Sequence, residues 1–80
     1  MKIIENILNN YFVLNEAPGG FYILCPWCEE EGKKKELYFY DSGITKCWRC
    51  YNLYGRDWKN SFIAINEILK KRGISFKIWS

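Results

Sequence analysis

The residues in this 80-residue chain whose types and spacing can do chemistry are four cysteines. Cys25 and Cys28 lie in "ILCPWCEEEGKKK", and Cys47 and Cys50 lie in "KCWRCYN", giving C-x2-C-x18-C-x2-C. Two CxxC turns can present four thiolates to one ion at about 2.3 Å. Backbone amides inside each turn can hydrogen-bond the sulfurs and fix their orientation. Four protein ligands leave no open position, so the ion is structural and its binding energy becomes folding energy. The spacing predicts one structural Zn2+ on Cys25, Cys28, Cys47 and Cys50.

Three other uses of the sulfurs compete with that one. Cys25-Pro26-Trp27-Cys28 by itself is similar to a thioredoxin-type redox pair, which normally opens a helix inside a larger βαβ fold than this chain can contain. Two disulfides require an oxidising compartment, and nothing in the sequence indicates one. An iron site of the rubredoxin kind also uses two CxxC turns, and the sequence leaves it open.

Size and composition set the frame for the site. Eighty residues make one domain, 1–80, too small for a large core, and such chains need a staple. Aromatic residues are 19% of the chain, comprising 4 Trp, 6 Tyr and 5 Phe, too many rings for so small an interior to hide. "MKIIENILNN" carries Glu5 and lacks a continuous apolar run, so it is not expected to be a signal peptide. With no long apolar stretch for a membrane span, a reducing cytoplasmic setting is expected, where paired CxxC motifs hold metal. The formal net charge is +3, and a zinc bound to four thiolates would lower it to +1, so global charge argues little. Its distribution says more, because no acid occurs between Thr45 and Arg56.

The elements that position the cysteines are legible in outline. Residues 2–10 place Ile3, Ile4, Ile7 and Leu8 at helical spacing, and "YFVLNE" either extends that helix or begins a strand. Pro18-Gly19-Gly20 is a turn signal, followed by "FYILC" as a strand into the first cysteine pair. "EEEGKKK" reads as a solvated loop with Gly32 at its tip. "ELYFYDS" and "ITKCW" read as strands joined at Ser42-Gly43, with Leu37 and Phe39 on one face and Tyr38 and Tyr40 on the other. "YNLYGR" reads as a loop. A helix is expected from about Asp57 or Ser61 to Arg72, with Trp58, Phe62, Ile65 and Leu69 as its apolar stripe and Gly73 as its cap. "ISFKIWS" reads as a last strand. The fold class expected is a small α+β zinc ribbon. It has an antiparallel sheet of three to four strands, a short N-terminal helix, a longer C-terminal helix and a four-cysteine metal site.

"ILCPWC", a basic loop, two aromatic strands, "CWRC", a glycine loop and an apolar helix together resemble the N-terminal zinc-binding domain of bacterial and phage DNA primases. The resemblance spans roughly residues 3–72. Cys25, Pro26, Trp27, Cys47 and Cys50 match its motif. Cys28 stands where many cellular primases have histidine; several phage primases use four cysteines, which points to a phage or mobile element. Tyr51 replaces the glycine usual after the last cysteine, and Gly55 and Phe62 fall later than in that family. The resemblance implies binding of single-stranded DNA template through the sheet during primer synthesis. It also implies, as partners, a primase catalytic domain, a replication polymerase or a helicase.

The residues themselves are compatible with that implication. Tyr38, Tyr40 and Trp48 can line one sheet face as stacking platforms. Lys33, Lys34, Lys35, Lys46 and Arg49 can contact phosphates around them, and Arg56 and Lys59 extend the same charge. A packing assignment competes at several positions. Tyr38 and Tyr40 would cover the N-terminal helix, Trp27 and Trp48 would shield the metal, and the three lysines would offset the three glutamates before them. For Trp27 packing is the stronger assignment; Lys46 and Arg49, beside ligands and far from acids, are the leading nucleic-acid contacts. The chain has no histidine and only Asp41 and Asp57 as aspartates, so catalysis by this chain alone is not expected. A protein–protein adaptor in transcription or replication machinery is the alternative, resting on "ISFKIWS" and the first helix as docking elements.

Overall fold

The computed structural model describes residues 2–74. Helix α1 (Lys2–Leu8) is followed by β1 (Asn15–Ala17) and β2 (Gly20–Leu24), then α2 (Pro26–Glu30) and β3 (Glu36–Tyr40). The chain continues through β4 (Thr45–Lys46), α3 (Trp48–Tyr54), β5 (Asp57–Trp58) and α4 (Ser61–Lys71). All five strands pair antiparallel in chain order, β1-β2-β3-β4-β5. The fold is thus the expected small α+β one, with five strands against the three to four expected: β1 follows the strand alternative for "YFVLNE", and β5 is a short strand beyond the expectation.

Strand alternation divides the sheet into two unlike faces. On the inner face Phe21 pairs with Phe39, Ile23 with Leu37, Phe39 with Thr45 and Thr45 with Trp58. These side chains are buried, and the Phe21 and Phe39 rings stack at 4.9 Å and 4°. Ile4 and Leu8 of α1 and Ala64, Ile65, Ile68 and Leu69 of α4 complete the same core. The outer face carries Tyr22, Leu24, Tyr38, Tyr40 and Lys46, none of which enters that core. Tyr38 and Tyr40 therefore do not cover the N-terminal helix; α1 lies against α4 instead.

The close approach of β2 to β3 requires a glycine at position 20. A Cβ there would sit 2.0 Å from the Phe39 carbonyl oxygen on the neighbouring strand, a backbone atom that cannot move aside. The β3–β4 turn falls at Ser42-Gly43 as expected, closed by Gly43 N–H donating to the Tyr40 carbonyl at 2.9 Å.

Helix α4 begins at Ser61, the later of the two expected starts, and its buried stripe is rotated relative to expectation. Trp58 lies on β5 rather than on the helix, and Phe62 is only half-buried. The buried stripe is Ser61, Ala64, Ile65, Ile68 and Leu69. Asn60 caps the start, its Oδ1 accepting from Phe62 N at 2.8 Å. At the far end Gly73 N–H donates to Lys70 O and Ile74 N–H to Leu69 O, a Schellman closure with Gly73 left-handed at φ 73°. One polar link crosses the interior: buried Thr45 and Ser61 hydrogen-bond at 3.0 Å, and Ser61 Oγ donates to the Gly43 carbonyl. It ties the sheet to the first turn of α4. The last strand expected in "ISFKIWS" falls, after Ile74, outside the described residues.

Candidate metal centre and the aromatic sheet face

Each cysteine pair sits where a strand becomes a short helix. Cys25 leaves β2 and caps α2, with Pro26 at the helix's first turn, where its missing N–H costs nothing. Cys47 leaves β4 and caps α3 in the same extended conformation. Trp48 to Tyr54, expected to end in a loop, is helical because Cys47 O accepts from Tyr51 N–H at 2.9 Å and Gly55 closes the helix at φ 67°.

The two junctions face one another across the core edge, and all four sulfurs lie within 4.8 Å of each other. Cys25 Sγ is 3.7 Å from Cys50 Sγ, while Cys28 Sγ is 3.7 Å from Cys47 Sγ and 3.6 Å from Cys50 Sγ. A tetrahedron with metal–sulfur bonds of about 2.3 Å has edges of about 3.8 Å. Disulfide bonding would need about 2.0 Å, and all four cysteines are free thiols in this structure. The sheet is antiparallel throughout, which also removes the βαβ setting of a thioredoxin-type pair. Four fully buried thiols in this arrangement can hold one metal ion.

The surroundings are built for negative sulfur. Cys28 N–H hydrogen-bonds the Cys25 sulfur and Cys50 N–H the Cys47 sulfur, each favouring the thiolate. Arg49 Nη1 donates to Cys28 Sγ at 3.4 Å, and Arg56 Nη1 donates to Cys50 Sγ at 3.2 Å. Four thiolates around a divalent ion leave two negative charges, and these two guanidinium groups neutralise them. Without an ion the sulfurs must share protons. Hydrogen bonding from Cys25 draws Cys47 down to about 5, while the same contact and burial push Cys25 up, and burial pushes Cys50 up to about 11.

Both arginines are held from their other side as well. Arg49 Nη2 donates to Glu31 Oε1 at 2.8 Å, which keeps the guanidinium charged and holds the Glu31 carboxyl below its ordinary range. Arg56 lies 5.3 Å from the Trp27 ring centre and 5.2 Å from that of Tyr54. Trp27 in turn packs on Trp58 at 5.1 Å, so it is a packing residue beside the sulfurs. Glu30 pairs with Lys71, and Glu29 pairs with Arg72 at 3.0 Å. The three glutamates thus do not offset Lys33, Lys34 and Lys35, which are exposed and form no ion pair among the described residues.

On the outer sheet face the expected rings do come together. Tyr38 and Tyr40 stack at 5.9 Å and 17°, and Tyr22 leans on Tyr38 at 5.4 Å. Trp48 Nε1 donates to Tyr40 Oη at 3.3 Å, which places the indole beside the tyrosines. The Lys46 ammonium lies 4.7 Å from the Trp48 ring centre and 4.0 Å from that of Tyr51. A groove of about 670 Å³ runs past Lys33, Lys35, Tyr38, Trp48 and Arg49, and a second of about 370 Å³ past Tyr40, Lys46 and Trp48. Burial, then the nearby Glu36 charge, pushes the Tyr38 phenol up, so its ring stays neutral.

Lys34 and Lys59 are exposed but line neither groove. Sequence reasoning missed Tyr22, Tyr51 and Asn52 as members of this face. Alternation of Tyr22 with buried Phe21 and Ile23 carried the first; the i, i+3 spacing of Trp48 and Tyr51 carried the second. No helix among the described residues is long and apolar enough to cross a membrane. No family model matches the chain, and neither a curated protein nor a solved structure matches it.

Proposed function

We propose that the chain is a non-catalytic zinc-ribbon module that binds single-stranded nucleic acid, DNA in the first instance, on its outer sheet face. The observation that carries this reading is the cluster Tyr38, Tyr40 and Trp48, stacked and hydrogen-bonded into one platform with Lys46 on it and Lys33 and Lys35 beside it. Sequence-tolerant single-strand binders combine such platforms with cations tracking the backbone. The ion is Zn2+, supported by four thiolates at tetrahedral spacing and by charge balance with Arg49 and Arg56. The role is positional: the module holds template for the catalytic part of a primase, a polymerase or a helicase, as its sequence resemblance implies. An intracellular setting suits reduced thiolates.

The experiment is titration of a fluorescent single-stranded oligonucleotide at rising salt, with zinc measured in the same preparation. Binding that weakens as salt rises, and that falls about ten-fold or more in Tyr38→Ala and Trp48→Ala, supports the reading. No binding at low salt, or binding by both variants equal to that of the unmodified chain, would overturn it. Retention of a polymerase or helicase without any oligonucleotide binding would favour the adaptor reading, for which α3 offers exposed Leu53 and Tyr54.

A further inference from the structure

Trp48 is the one ring shared by the two grooves at Tyr38 and Tyr40 on the outer face. On one side of it lies Tyr38 with Lys33, Lys35 and Arg49; on the other lies Tyr40 with Lys46 and Asp41. The two tyrosines stack nearly parallel, at 5.9 Å and 17°, so the depressions are neighbours on a continuous surface. Tyr22, tilted by 54° against Tyr38, lines neither. The indole is not free to turn. Its Nε1 donates to Tyr40 Oη at 3.3 Å, Tyr51 meets it edge-on at 6.1 Å, and the Lys46 ammonium lies over its ring.

We infer that Trp48 is a divider between two base-sized subsites, so that the face takes two consecutive unstacked bases of a single strand. One base lies by Tyr38 and the other by Tyr40, with the linking phosphate passing Trp48 beside Lys46. The inference rests on the single-strand reading above and deepens it to a footprint. Charge is complementary on the path: Lys33, Lys35 and Lys46, none of them ion-paired among the described residues, and Arg49, held by Glu31, line the grooves against Glu36 and Asp41. Two rings in depressions that share Trp48 give two stacking contacts. Tyr22, next along the sheet, lines a third groove of about 460 Å³ that carries Glu29 and Glu36, with its one cation Arg72 already paired to Glu29, so a further phosphate is disfavoured there. Tyr40 acts on Trp48 as a positioning residue as well as a platform, because its hydroxyl holds the indole.

The test keeps phosphate number constant while changing base number. Abasic octanucleotides carrying one thymine, two adjacent thymines, two thymines separated by an abasic position, or three adjacent thymines are titrated against the zinc-loaded chain. Two adjacent thymines are expected to bind about ten-fold tighter than one or than the separated pair, and a third to add about two-fold at most. Tyr40→Phe keeps the ring but releases the indole, so the two-base step shrinks while the salt dependence stays unchanged. Equal binding by one and two thymines, or another ten-fold gain from the third, would overturn the footprint and leave single-strand binding intact. A chain that fails to bind octathymidylate at low salt would overturn both.

Discussion

Arg56 Nη1 donates to Cys50 Sγ at 3.2 Å while its guanidinium lies against the Trp27 ring. Arg49 repeats the relationship at Cys28, so each cysteine pair has one sulfur facing a cation supplied by or just after the second pair. A charged hydrogen bond to a thiolate stabilises the ligand form of the sulfur and orients it. Arg56→Met and Arg49→Met are expected to weaken metal binding about ten- to one hundred-fold each, measured by competition with a chromophoric chelator. Lys34→Met, which removes an exposed cation that donates to no sulfur, leaves the affinity unchanged.

Removing the ion should cost the fold, because four buried sulfurs join the β2–α2 and β4–α3 junctions at one point. Exhaustive chelation is expected to abolish the cooperative thermal transition in circular dichroism, and metal re-addition should restore it. A transition of unchanged midpoint after chelation would contradict a structural ion.

Metal binding should strengthen as pH rises. The metal-free chain holds thiol protons at neutral pH in either state: unfolded, because an ordinary thiol titrates at about 8.5, and folded, because Cys25 and Cys50 are pushed up, Cys50 to about 11. Binding must expel those protons, so log affinity climbs with pH through the neutral range and the bound ion is lost on acidification. Proton release at pH 7, followed by calorimetry in buffers of different ionisation enthalpy, checks the sign. A pH-independent affinity would exclude protonated thiols in the metal-free state.

Glu31 occupies one amino group of Arg49, a residue that lines the larger groove. Glu31→Gln removes the competing charge and leaves the Arg49–Cys28 contact in place. If the face binds a single strand, this variant is expected to bind oligonucleotide more tightly. Its plot of log affinity against log salt should steepen by about 0.7, one added phosphate contact. An unchanged slope would place Arg49 outside the phosphate path.

Gly20→Ala is expected to destabilise the chain by about 3 kcal/mol or more, since its Cβ would meet the Phe39 carbonyl at 2.0 Å. Gly32→Ala, in open space but left-handed at φ 74°, should cost only about 1–2 kcal/mol. Thermal melts of the two metal-loaded variants compare them; equal losses would mean that the β2–β3 approach is not tight.

Much of the scaffold could be read in advance because it depends on local rules. Alternation put Leu37 and Phe39 opposite Tyr38 and Tyr40, and Gly73 marked the end of α4. The helix of Trp48 to Tyr54 escaped because tyrosine and asparagine are weak helix formers; its start is set by the cysteine junction and its stop by Gly55. β5 escaped because two residues carry no period, and Trp58 reads equally as the first turn of α4. Charge partners were the least legible: Glu29, Glu30 and Glu31 stand beside three lysines in sequence but pair with Arg72, Lys71 and Arg49. The backbone after Cys28 turns the lysines away, and α4 and α3 bring other cations near.

The residue order alone determined that four thiols come as two matched pairs and that strand pleating separates apolar from aromatic side chains, since both follow from spacing along one chain. Only the tertiary structure decided that Arg49 and Arg56 point at the sulfurs and that Trp48 joins Tyr40 on the opposite surface. Long cationic and indole side chains have several rotamers, and which one is occupied depends on groups distant in sequence that folding brings within reach.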